Sequence, residues 1–555
     1  MAKMTGARFL AETLKGYGVT HIFFVPAVLG KALVEMEKVG IKRIVTHGEK
    51  AAAYMADGYA RVTHRPGVCA AQSVGAANLA AGLQDPFLGL SPVIALTGRR
   101  KSLHRYRHAY QEIEHGPLFQ AVTKWSVTVD TVEQLPLLLR QAFREATSGA
   151  PGPVHLDLQG YTGEVILDAE ADLEVVVESR FSRYPAFRPE PDPEGVREAA
   201  RALAQARRPV IVAGGGVTAS EAQGEVRRLA EMLSIPVATS LNGKGAIPED
   251  HPLSVGVVGS YSRWCANRVV AEADLVLFIG SHTGGQVTNE WRIPRPGTPV
   301  IQIDIDAAEL GRNYTNQVAL QGDAKVSLQR LVAALEPITQ RPQWLQRAGT
   351  LVTECRTETA PLRNSESTPI RPERICKELS EWLPSDAVVV ADTGHAGIWT
   401  GTMLDLKHPG QTYARAAGSL GWAFPASLGA KCAAPERPVV CFTGDGGFWY
   451  HIGELETAAR RGINTVTVVN NNIALNQVIR GVQREYGDQA GSQGDIWKFT
   501  DVDFAQVAQS MGCYGIKVTR PGDLRGALEK ALASNRPAVI DVRSDVAGIA
   551  PPAWA

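Results

Sequence analysis

A chain of 555 residues is too long for one hydrophobic core and predicts three domains of ordinary size. Lys plus Arg and Asp plus Glu both number 57, and this zero net charge argues against nucleic acid or an anionic membrane as partner. Hydrophobic content of 45% is that of a globular protein, and no apolar run approaches the roughly 18 residues needed to span a bilayer. The N-terminus lacks the apolar block of a signal peptide, and the seven scattered cysteines form no Cys-x-x-Cys. Together these predict reduced thiols in a cytoplasmic protein, without a disulfide frame or zinc site.

In chain order, the first segment alternates short apolar strands with helix-period stretches. Strands are predicted at 22–25, 43–45, 67–70 and 93–96, and the segment closes near 154–158. Such alternation implies right-handed crossovers and a parallel sheet. A Pro-rich linker over 184–193 follows. The second unit opens with a strand at 209–212 and the turn Gly214-Gly215-Gly216, which lacks the full dinucleotide fingerprint and reads as a strand–helix turn. It runs through 275–280 to 300–304, its end blurred by a polar stretch over about 340–368. The third unit starts near Ile370, with strands at 387–391, 439–443, 466–469 and 538–542. The expected fold is α/β, three doubly wound parallel-sheet domains over 1–182, 190–342 and 368–555. The outer two echo each other in plan without a residue-level repeat.

Asp445 in Gly444-Asp445-Gly446-Gly447 and Asn472 in Asn470-Asn471-Asn472 lie 27 residues apart, across what reads as one helix and one buried strand. Both fall just past strand ends, where open parallel sheets bind ligands. A glycine-rich turn lets backbone approach phosphate, and a carboxylate with an amide oxygen suits a hard cation such as Mg²⁺. Either motif alone reads equally well as an ordinary turn or a polar strand end. The pair at this spacing predicts a holder for a divalent metal and a diphosphate.

With these motifs the whole chain resembles the thiamine diphosphate (ThDP) enzymes, in the branch of acetohydroxyacid (acetolactate) synthase and pyruvate oxidase. That resemblance implies a pyrimidine-binding, a central and a diphosphate-binding domain, in this order. It implies Mg²⁺ bound by Asp445, Asn472 and the Ala474 carbonyl, with Gly446 and Gly447 facing the diphosphate. Gly394-His395-Ala396 matches the second diphosphate contact, and Leu475 and Asn476 complete the cofactor-binding set. Leu420, in Gly418-Ser419-Leu420-Gly421, stands where the family props the aminopyrimidine over the thiazolium. Glu49 begins the helix of His47-Gly48-Glu49-Lys50-Ala51-Ala52, where an acid is often only a dipole partner. The continuation Ala56-Asp57-Gly58-Tyr59-Ala60-Arg61 matches the segment carrying the activating glutamate, whose carboxyl in a water-poor site shares a proton with the aminopyrimidine and so generates the ylid. Gln111 matches a glutamine pointing at the reacting centre, and Ser73–Asn78 reads as a structural turn.

Departures from the family are equally informative. Branched-chain synthases carry Trp at the position of Gly481, and an Arg that grips the second keto acid's carboxylate at the position of Gln286. Losing such a contact costs about 1.5–3 kcal/mol, which argues against a second keto acid in the usual pose. The stretch Gly284–Thr288 also weighs against FAD in the central domain. Asn476 replaces a common Gly, and Gln477 and Arg480 follow it. The expected activity is ylid attack on a pyruvate-like 2-keto acid, decarboxylation and carboligation to a carbonyl acceptor. Alternatives are a ThDP-dependent decarboxylase, C–C lyase or diketone hydrolase, a flavin-linked oxidase, or a retired regulatory subunit. The resemblance further implies a homodimer or homotetramer with sites between subunits, acting on a 2-keto acid or hydroxy ketone.

Overall fold

A computed structural model describes residues 2–336, 341–550 and 553; most of the C-terminal Ala550–Ala555 tail and the 337–340 stretch lie outside them. Three six-stranded parallel sheets account for the expected units. The first is ordered Lys42–Val45, His21–Phe24, Gly67–Ala71, Val93–Arg99, Val154–Gln159, Trp125–Val129. The third repeats this plan with Thr412–Arg415, Val388–Ala391, Val439–Gly444, Val466–Asn471, Ala538–Arg543 and Tyr514–Val518. The central sheet runs outward both ways from Pro209–Ala213, with Val237–Thr239 and Ser254–Val257 on one side and Leu275–Ile279, Val300–Asp304 and Asn316–Gln321 on the other. Interior strands are Val/Ile runs buried on both faces, as a helix-covered parallel sheet requires.

Several elements depart from the sequence expectation. The outer strands Trp125–Val129, Asn316–Gln321 and Tyr514–Val518 are half-solvated and mix polar with apolar residues, which hides them in a hydrophobicity pattern. The interval between Asp445 and Asn472 holds two short helices, Asp445–Trp449 and Glu454–Arg461, rather than one. The polar stretch after 340 contains the helix Pro342–Arg363, whose Trp344, Ala348, Leu351 and Cys355 pack against the central sheet.

The first and third domains share a continuous core. The helix Glu49–Thr63 crosses the helix Ala423–Ala433 at two glycines. A Cβ on Gly58 would lie 2.0 Å from the Ala426 carbonyl oxygen, and one on Gly429 would lie 1.9 Å from that of Met55. Backbone therefore meets backbone, and only glycine fits. Beside the crossing, Asp57 accepts two 2.8 Å bonds from Arg61 and one of 2.9 Å from the Trp422 indole.

Candidate active site

In the third sheet the strand order reverses between Val388–Ala391 and Val439–Gly444, so a crevice opens past their carboxyl ends. Asp445 is the first residue of the helix beyond that edge, buried, and accepts the Ala474 N–H at 2.9 Å. Burial pushes its carboxyl up to about 7. Of the three consecutive asparagines, Asn470 and Asn471 end the strand, and Asn471 is tied to Asp541 at 2.9 Å. Asn472 lies one residue beyond, its Oδ1 buried without a partner. Between Asn472 and Ala474 the β-branched Ile473 sits at φ 59°, a left-handed conformation that costs energy and turns the chain back towards Asp445.

The glycines of this turn answer to neighbours as much as to any ligand. A Cβ on Gly446 would fall 2.4 Å from Leu475 Cδ2, and one on Gly447 would fall 2.8 Å from both Asp392 Oδ2 and Thr443 Oγ1. Cβ atoms on Gly418 and Gly444 would meet nothing within 4 Å, which leaves open room at the edge. Asp392, which the sequence reading passed over, joins these pieces. It accepts the N–H groups of Thr393 at 2.8 Å and Gly421 at 3.0 Å and the Thr443 hydroxyl at 3.1 Å. The Gly421 bond fixes the end of the loop that carries Gly418 and Leu420. Gly394 adopts φ 61° and caps the helix His395–Thr402, which contains Ala396. Asn476 Nδ2 is committed to the carbonyls of Val546 and Gly548, so its Oδ1 faces His395 Nδ1 at 2.7 Å and that nitrogen carries the proton. Burial lowers the His395 pKa, leaving an Nε2 lone pair in the neutral ring.

In the first domain Glu49 opens its helix after Gly48. Its carboxylate accepts Asn78 Nδ2 at 3.2 Å, and a Cβ on Gly75 would lie 2.4 Å from Glu49 Oε1. The Ser73–Asn78 segment thus touches the candidate acid directly, beyond the structural role expected of it. Within the chain Glu49 is partly solvated, not in the water-poor setting expected for it. Gln111, at φ 59°, has a buried Oε1 without a partner, and its carbonyl takes the Ser73 hydroxyl at 2.8 Å. Glu49 and Gln111 are therefore brought to one turn. Behind it His115 places Nε2 at 2.8 Å from the Ser73 carbonyl and Nδ1 at 2.9 Å from Asp157. Both ring nitrogens thus face acceptors. Asp157 also takes the Thr97 hydroxyl, which meets His155 at 2.6 Å. His115, His155 and Asp157 lie within 4.8 Å of one another, but these bonds commit them to a structural relay.

Comparison with known proteins assigns each layer. Residues 4–118 match the thiamine pyrophosphate enzyme N-terminal TPP binding domain, 196–331 the central domain, and 392–542 the C-terminal TPP binding domain. A probable acetolactate synthase large subunit of Methanocaldococcus jannaschii is 36% identical over 99% of this chain and 93% of its own length. The acetolactate synthase isozyme 2 large subunit of Escherichia coli is 32% identical over 98% of this chain and 96% of its own. An acetolactate synthase large subunit of Parasynechococcus marenigrum is 33% identical over 97% and 87%. The chain belongs to the ThDP-dependent enzymes of the acetolactate synthase type.

As a member of that family, the chain brings Asp445, the orphaned Asn472 Oδ1 and the Ala474 turn together at the switch point of its C-terminal TPP binding domain. The Asp445 carboxylate and the Asn472 amide oxygen are hard donors, of the kind that suits Mg²⁺. Position 481 is open, since a Cβ on Gly481 would meet nothing within 4 Å. Gln477 and Arg480 are exposed beside it, and Arg480 reaches the Ala550 carbonyl at 3.4 Å. No helix among the described residues is long and apolar enough to cross a membrane.

Proposed function

We propose that the protein is a ThDP- and Mg²⁺-dependent carboligase, which decarboxylates a pyruvate-like 2-keto acid and joins the remaining acyl unit to a carbonyl acceptor. The observation that carries this reading is the unpartnered, buried Asn472 Oδ1 beside the Asp445 turn, within a chain alike end to end to acetolactate synthase large subunits. Asp445, Asn472 and the Ala474 carbonyl would hold the metal, and the Gly446–Gly447 turn and His395 the diphosphate. ThDP, when bound, supplies the carbon nucleophile and the electron sink for decarboxylation. Leu420 would orient the cofactor's rings. Glu49 would hold and move a proton at the aminopyrimidine nitrogen, and Gln111 would present its amide to the reacting carbonyl.

Glu49 of one subunit would serve the cofactor held by Asp445 of another, in a homodimer or larger assembly. Exposed apolar residues beside each half-site support this: Val74 next to the Glu49 turn, and Trp449 and Tyr450 next to Asp445. A second subunit over this surface would give Glu49 the dry setting it needs. Flavin is not required by this chemistry, and the substitution at Gly284–Thr288 supports a reading without it. Mass spectrometry of ThDP adducts formed with a panel of 2-keto acids and hydroxy ketones tests the proposal. Adducts with keto acids, coupled to release of CO₂, are expected; adducts with diketones alone would replace it with a hydrolase or lyase, and flavin absorbance in the purified protein would reopen the oxidase.

A further inference from the structure

The loop between the strand Val93–Arg99 and Gln111 is strongly basic. Positions 99–108 hold Arg99, Arg100, Lys101, Arg105 and Arg107, with two histidines and no acid. The loop leaves the carboxyl edge of the first sheet, where Thr97 lies in register with Ala71, two residues before the Ser73 turn. That turn is the one that gathers Glu49 and Gln111. The loop is held in a defined shape. Tyr106, His108 and Gln111 adopt left-handed φ of 63°, 55° and 59°, which costs energy at each. Glu112 fixes the bend by accepting the N–H groups of Tyr106 and Ala109, and Arg105 donates twice to Glu114 at 2.8 Å.

Arg99 is paired with Asp130, and Lys101 lies 3.6 Å from Glu164. Arg100 differs. Its guanidinium lies 4.5 Å from the centre of the Tyr161 ring and 5.7 Å from that of Tyr110. Its Nε and one terminal nitrogen are buried without a partner, and no carboxylate among the described residues pairs with it. Two tyrosines thus orient a planar cation whose N–H edge is desolvated and unspent. A cation so placed without a counter-charge is costly, and it fits an anion that arrives with a ligand. Tyr110 immediately precedes Gln111, whose own Oε1 is buried without a partner. Tyr110 therefore links the unspent donor edge to the residue proposed to meet the reacting carbonyl.

We propose that the 2-keto acid decarboxylated here is a dicarboxylate, whose distal carboxylate is bound by Arg100 while its keto group faces Gln111. This rests on the proposed carboligase and narrows its donor to a dianion. The guanidinium edge suits a carboxylate through paired N–H···O bonds. The surrounding basic loop adds a positive field that favours a dianion over a monoanion such as pyruvate. Decarboxylation removes the carboxylate next to the keto carbon as CO₂ and leaves the distal one on Arg100.

Calorimetric titration of the full-length holoenzyme, loaded with ThDP and Mg²⁺, with glutarate and separately with glutaramate tests the inference. These probes differ by one carboxylate, and both lack the keto group that turns over. Glutarate should bind about tenfold or more tightly than glutaramate, and Arg100→Met should abolish that preference. Arg100→Lys, which keeps the charge, should retain part of it. Arg107→Gln, which removes an equal charge from the exposed part of the loop, should retain it whole. Equal binding of the two probes, a folded Arg100→Met that keeps the preference, or an Arg107→Gln that loses it as fully overturns the inference. Mass spectrometry of ThDP adducts with 2-oxoglutarate and with pyruvate, in the same preparations, reports separately on the carboligase. Adducts with neither overturn that reading, whereas adducts with pyruvate alone overturn the dicarboxylate.

Discussion

Asp392 shows how one carboxyl can organise a site without touching its chemistry. It ties the 421 turn, Thr393 and Thr443 together, and burial pushes it up to about 6. An unfolded Asp titrates near about 3.9. Between these values the native state holds the proton that the unfolded chain has lost, so stability falls as pH rises from about 4 to 6 and then levels. Asp392→Asn should lack this fall, a difference of up to about 3 kcal/mol, read from denaturation midpoints across that window. His395 supplies a second pH dependence. With Nδ1–H given to Asn476, the neutral ring offers only a lone pair to a diphosphate, so binding should take up a proton. ThDP affinity should therefore weaken above neutrality in wild type and lose this slope in His395→Gln, as measured by cofactor titration. Asp445 and Asn472 stand out in the sequence as candidates because motif and spacing carry them, and Glu49 because its helix resembles a family segment. Asp392 does not, since a lone Asp after a strand has no pattern until Gly421 and Thr443 are seen to converge on it. Nor could sequence show that Asn470 and Asn472 keep a side-chain oxygen without a partner while Asn471 does not; that depends on Asp541 taking Asn471.

At the scale of elements, the interior strands and the two domains that share a plan were legible because both-face burial leaves uninterrupted Val/Ile runs. The solvated outer strands were hidden for the opposite reason. The glycine crossing of Glu49–Thr63 over Ala423–Ala433 was equally hidden, because Gly58 and Gly429 become partners only in three dimensions. Gly429→Ala would force a methyl to within 1.9 Å of the Met55 carbonyl oxygen, where backbone cannot yield. It should destabilise the protein by about 1–3 kcal/mol, seen as a lower Tm. Because the helix of Met55 starts at Glu49, activity should fall more than the loss of folded protein explains. An unchanged Tm would show that the two helices do not pack as described.

For the whole molecule, the proposed assembly divides each site between chains. Glu49→Gln and Asp445→Ala subunits, each inactive alone, should recover about a quarter of wild-type activity when mixed at random, because half of the dimers would carry one intact site in two. Sites built within one chain would recover none. The role of Glu49 itself is tested most directly by deuterium exchange at C2 of bound ThDP, followed by acid quench and NMR. Replacing Glu49 by Gln should slow that exchange by about 10²–10⁴-fold while ThDP and Mg²⁺ remain bound. Exchange as fast in Glu49→Gln as in wild type would contradict the assignment of Glu49 as the activating acid, and with it the proposed carboligase chemistry.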